Sequence, residues 1–93
     1  MRDGLKKIRG RWWHLVPTND VAVGDMIVFL KTKGATPHGW RHEKVKKVSK
    51  KGRSRKSRWV RTEQRKYHGH VILPSIRVFM HTISEVWRRG YKP

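Results

Sequence analysis

Thirteen lysines and arginines crowd the 26 residues from Arg41 to Lys66, opposed only by Glu43 and Glu63. A segment at net +11 cannot bury most of its cations, because a buried charge without a partner costs several kcal/mol. It belongs on the surface or against a polyanion. The other residues are also basic on balance, bringing the 93-residue chain to a formal +18. Self-repulsion on that scale opposes compaction, so a nucleic acid, an anionic membrane or an acidic protein surface is expected to stabilise the fold on binding.

The length admits one domain, and 35% hydrophobic residues admit only a small core. A doubly wound nucleotide-binding sheet, a large enzyme fold and a two-domain machine are excluded on size. Five Trp, two Tyr and two Phe are more aromatic residues than a disordered basic tail carries. With no cysteine there is neither a disulfide framework nor a thiolate zinc site. The longest apolar run, Met26 to Leu30, falls far short of the roughly 20 residues that span a bilayer. The first residues do not offer the apolar stretch of a secretory signal, so none is expected. A soluble cytoplasmic protein, nucleoid- or ribosome-associated, is the expectation.

The periodicity favours strands. Residues 1–10 read as a flexible basic arm, 11–89 as one small domain and 90–93 as a tail. Arg11 to Val16 forms a run that Pro17 ends, with Trp12 and Trp13 on opposite faces, one of them in the core. Asp25 to Lys31 is apolar on both parities, which suits a strand buried on both sides. Val45 and Val48 are three apart, a helical spacing or a bulged strand, and the β-rich surroundings favour the strand. Ser57 to Glu63, Tyr67 to Leu73 and Ser75 to His81 alternate in turn. The last places Ile76, Val78 and Met80 on one face and Arg77, Phe79 and His81 on the other. Thr82-Ile83-Ser84-Glu85 has the form of a capping box, so a short C-terminal helix competes there with continuation of the strand.

These elements describe a mainly β protein: a small barrel of five or six strands with a long basic hairpin and a short C-terminal helix as an option. The segment Val23-Gly24-Asp25-Met26-Ile27 resembles the V-G-D-x-hydrophobic lead-in to a strand in SH3-like small barrels, including the KOW-type barrels of ribosomal and transcription-elongation proteins. That resemblance implies an SH3-like barrel. The Asp is expected to bond its own turn backbone before the chain enters the buried strand.

Residues 49–58 contain no apolar side chain and are expected to form the mobile tip of the hairpin. The candidate nucleic-acid-binding residues are Trp40, Arg41, Lys44, Lys46, Lys47, Lys50, Lys51, Arg53, Arg55, Lys56, Arg58, Arg61, Arg65 and Lys66. Guanidinium groups form paired hydrogen bonds to phosphate oxygens, and lysines act as point charges. Trp40 and Trp59 flank the basic zone as base-stacking platforms or core anchors, the core being favoured for Trp59. Six to eight neutralised phosphates give a log–log salt slope of about −5 to −7 on duplex DNA. Base-reading amides are scarce, so weak or shape-based specificity is expected.

Six histidines raise the question of metal. His68 and His70 share a face if Tyr67 to Leu73 is one strand, but a zinc site needs three or four ligands. No metal, cofactor or catalytic group is expected. A metal-free ribonuclease built on His68, His70 and Arg61, as in toxin enzymes with SH3-like barrels, is a minor alternative. The favoured function is a non-enzymatic grip on DNA or RNA, in a phage, nucleoid or ribosomal setting. Its main rival is a module that docks on an acidic surface of a larger machine such as RNA polymerase. A membrane partner is not expected, since the basic zone lacks an amphipathic helix.

Overall fold

The computed structural model describes residues 4–30, 39–50 and 57–90. They form nine strands: β1 (Leu5–Ile8), β2 (Arg11–Val16), β3 (Met26–Leu30), β4 (Trp40–Val48), β5 (Trp59–Thr62), β6 (Arg65–Tyr67), β7 (Val71–Leu73), β8 (Arg77–Phe79) and β9 (Ile83–Arg89). Short 3-10 turns lie at Thr18–Asp20 and Met80–Thr82. Seven strands make one antiparallel sheet in the order β1-β2-β9-β3-β4-β5-β8, and β6 and β7 pair as a separate ribbon.

β3 shows why the chain folds inward on itself. Its first four residues are all buried, with Ile27 and Phe29 in one apolar cluster and Met26 and Val28 in another. The larger cluster adds Val21, Val45, Val60, Val78, Ile83 and Val86, gathered from both halves of the sheet. The smaller one adds Trp13 and Trp87, with Ile8 of β1 packed against it. Fully burying side chains of this size contributes about 1.5–3 kcal/mol each.

Two bulges make this double packing possible. Between Val45 and Lys47 the β4–β5 register shifts, so Val45 opposes Thr62 while Lys47 already opposes Arg61. Val45 and Val48, three apart, therefore both reach the larger cluster. A second shift between Val28 and Phe29 leaves Ser84 of β9 without a counterpart, so Ile83 and Val86 also share that cluster. The capping-box pattern at Thr82 to Glu85 is thus a bulged strand, and the C-terminal helix is replaced by β9. A spacing of three is helical in a regular segment but arises in a strand wherever one residue is extra.

Three further expectations are corrected. The five- or six-stranded closed barrel is not found: among the described residues the sheet ends at β1 and β8, which do not pair with each other. The flexible basic arm contains β1, paired to β2 through a two-residue turn in which Arg9 and Gly10 have φ of 50° and 77°. Positive φ at both positions is what a tight hairpin of this length requires, and Gly10 adopts it without strain. Tyr67 to Leu73 is two strands, because His68 at φ 55° turns the chain back on itself.

Candidate nucleic-acid interface

The β4–β5 hairpin forms as its sequence suggests, and β8 extends it. Lys47 of β4 opposes Arg61 of β5, which opposes Arg77 of β8. Trp59 opposes Phe79 in the next row of the same face. Strands lie about 4.8 Å apart, so the three cations span about 10 Å. Lys47, Arg77 and Phe79 are exposed, and Arg61 and Trp59 are half-buried. Lys47 Nζ lies 5.9 Å from the Trp59 ring centroid, and the Arg77 guanidinium lies 5.9 Å from Trp59 and 5.4 Å from Phe79.

Like charges placed directly opposite destabilise a sheet. Cation–π contacts at exposed sites return only about 0.5–1 kcal/mol each. Among the described residues no carboxylate pairs with Lys47, Arg61 or Arg77. The row is therefore a standing positive field beside two aromatic rings, a chemistry that suits phosphate next to bases.

Not every candidate cation joins that face. Arg41 and Arg65 both turn to Glu43, whose carboxylate is 1% exposed. Arg41 donates from Nε and Nη2 at 3.1 and 2.8 Å, and Arg65 from Nε and Nη2 at 2.8 and 3.2 Å. Burial alone would raise the Glu43 pKa, but the hydrogen bonds from Arg65 and Arg41 outweigh it and hold the carboxyl below its ordinary value. Both arginines are thereby tied to Glu43, away from the Lys47–Arg61–Arg77 row. Lys46 is the exposed extra residue of the β4 bulge, Lys44 is half-buried opposite Met26, and Lys50 is exposed just beyond β4. Arg58 is half-buried, and among the described residues its Nε finds no hydrogen-bond partner. Lys66 sits on the β6–β7 ribbon, opposite Ile72. Lys51, Arg53, Arg55 and Lys56 of the expected tip lie outside the described residues.

Arg77 and Phe79 complete this face without being among the candidates. The alternation of Ser75 to His81 put them on one face, yet nothing in the sequence showed that β8 pairs with β5. Trp59, favoured as core, is half-buried. Trp13, at 3% exposure, is the core member of its pair and Trp12, at 46%, the outer one.

A second assembly lies where β4, β3 and β9 meet. His42 opposes Val28, which opposes Glu85. Trp40, 53% exposed, stands two residues from His42 on the same face of β4. Val28, Trp40, His42, Ser84 and Glu85 line an open groove of about 390 Å³. Lys6 of β1 reaches two of its lining residues: Lys6 Nζ is 3.5 Å from His42 Nε2, 3.6 Å from Glu85 Oε1 and 4.4 Å from the Trp87 ring centroid. Trp87 Nε1 donates to Glu85 Oε1 at 3.1 Å. Burial, then Lys6 and Arg9, push the His42 pKa below its ordinary value.

His68 and His70 fall in the β6–β7 turn, where His70 Nδ1 lies 2.7 Å from the His68 carbonyl oxygen. They do not form the same-face pair expected of a single strand. Among the described residues no three His, Asp or Glu side chains are grouped to hold a metal ion, and no helix is long and apolar enough to cross a membrane. No protein-family model, curated protein or solved structure matches this chain.

Proposed function

We propose that this protein binds nucleic acid, using the outer face of β4, β5 and β8 as its grip and the basic segment between β4 and β5 as an extension of that grip. The observation that carries the reading is the Lys47–Arg61–Arg77 row beside Trp59 and Phe79. Phosphates neutralise three cations that repel one another, and the adjoining rings offer π-faces to unpaired bases, worth about 1–3 kcal/mol per stacked base. Two half-sheets sharing the bulged strand β4, together with the Val23 to Ile27 lead-in, fit an SH3-like arrangement left open at its edges. The grip needs no cofactor or catalytic group, and association with nucleoid or ribosome follows from it.

The test is a salt series. Binding to mixed-sequence DNA and RNA is measured from 50 to 300 mM salt by fluorescence anisotropy. The expected result is affinity falling linearly on log–log axes with a slope of at least about −5 on duplex DNA. A salt-independent isotherm, or no binding at 50 mM, sinks the reading in favour of an acidic protein partner.

A further inference from the structure

We infer that the groove between Trp40 and Glu85 is a pocket for a single unpaired guanine, reached by a strand that also crosses the cation row. The inference rests on the nucleic-acid reading above and adds base selectivity to it.

Continuity comes first. Trp40, His42 and Lys44 share one face of β4, and after the bulge at Lys46 the same face carries Lys47. At about 3.3 Å per residue, Trp40 lies on the order of 20 Å along the strand from the cation row. A few nucleotides cover that distance. A backbone held by Lys47, Arg61 and Arg77 is thereby led toward the groove with its bases unpaired, the form in which proteins read single strands by stacking and by their Watson–Crick edges.

The chemistry of the groove then selects the base. Trp40 presents a large exposed ring. Val28 floors the groove, whose volume of about 390 Å³ admits a planar base, and the Lys6 ammonium lies within 3.6 Å of both His42 Nε2 and Glu85 Oε1. Lys6 places an ammonium 3.6 Å from Glu85 Oε1, so a cationic donor and a carboxylate sit side by side. Lys6 and Trp87 both engage Oε1, while among the described residues Oε2 accepts nothing. The guanine Watson–Crick edge runs acceptor, donor, donor: O6 faces the ammonium, and N1–H with N2–H₂ face the carboxylate. Uracil and thymine put a carbonyl where the second donor is needed. Cytosine and adenine each offer the carboxylate one donor beside a ring nitrogen acceptor. Only guanine satisfies both charged groups at once.

The experiment compares labelled octamers: all-uridine, and the same octamer with one guanosine, adenosine or cytidine at its centre, each also made with deoxyribose and thymidine. Anisotropy titrations at 50 mM salt are expected to show the guanosine octamer bound about tenfold or more tightly than the other three. Glu85→Gln collapses that advantage to a ratio near one. Trp40→Ala, at an exposed position, lowers affinity for the guanosine octamer about tenfold with an unchanged melting curve. Equal affinity for all four octamers in both sugar forms, or a guanosine preference that survives Glu85→Gln, overturns the pocket and leaves the cation grip standing. Failure of every octamer to bind overturns both.

Discussion

Arg65 of β6 donates from Nε to Glu43 Oε1 of β4 at 2.8 Å, so the separate β6–β7 ribbon is moored to the main sheet by a buried charge. Arg41 holds the other side of the same carboxylate. A backbone bond from Glu63 N–H to the Lys44 carbonyl, 2.8 Å, lies alongside.

Removing that charge strands two arginines. Glu43→Gln is expected to cost roughly 3 kcal/mol at pH 7, as breaking a buried pair does. The folded pKa of Glu43 lies below its ordinary 4.5, so its stabilisation is complete above pH 4.5 and fades as pH falls through the folded value. Urea melts of both proteins should therefore converge in strong acid; a gap that stays constant from pH 7 to pH 2 contradicts the assignment.

His42 predicts a second pH effect of different origin. Its pKa is lowered by burial and by Lys6 and Arg9, against the opposing pull of Glu85 and Glu43. Above pH 6.5 the ring is neutral in both folded and unfolded chains and contributes no slope. Below 6.5 the unfolded chain takes up the proton first, so stability falls with pH until the folded pKa is passed. Subtracting the His42→Asn profile from that of the wild type should isolate this decline, and parallel profiles between pH 7 and 5 argue against it.

The cation row is expected to govern affinity and to burden the fold. With Lys47, Arg61 and Arg77 all replaced by Ser, the log–log salt slope on duplex DNA should shrink by about 2 to 3. The melting temperature should hold or rise, because the mutual repulsion is gone. An unaltered slope places the contact elsewhere.

Asp25 is 2% exposed and accepts from the Ala22 N–H at 2.8 Å and from Arg88 at 3.0 and 2.9 Å. Asp25→Ala leaves donors unpaired and should cost about 2–4 kcal/mol by chemical denaturation. Gly24→Ala is expected to cost less, about 1–2 kcal/mol. Its φ of +94° strains a side chain, but an added Cβ meets nothing within 4 Å. A larger loss for Gly24→Ala than for Asp25→Ala reverses this ranking.

Local patterns were legible where one residue type has one structural use. The all-apolar run at β3, the stop at Pro17 and the Asp25 turn bond follow from propensity and hydrogen-bond capacity alone. A spacing of three is degenerate. At Val45 and Val48 the basic, β-rich neighbours favoured a bulged strand, whereas at Ile83 and Val86 the capping-box chemistry left a helix open. Arg9-Gly10 went unread as a turn because the strongest hairpin signature carries Asn or Asp at its first position. Of the interface, the sequence supplied the cations but not their partners. Which arginines bond Glu43 and which face outward depends on pairings between distant strands, invisible without the register.

Lys46 is one residue too many for its ladder, and that surplus changes the phase of the strand. Before it, odd-numbered side chains of β4 point to the interior; after it, even-numbered ones do. Were Lys46 taken up as an ordinary ladder position instead of a bulge, Lys47 would turn inward and Val48 would be thrown to water; deleting it would leave both where they are, on a regular ladder. The outward orientation of the basic face beyond Lys46 thus rests on the bulge at that residue rather than on composition.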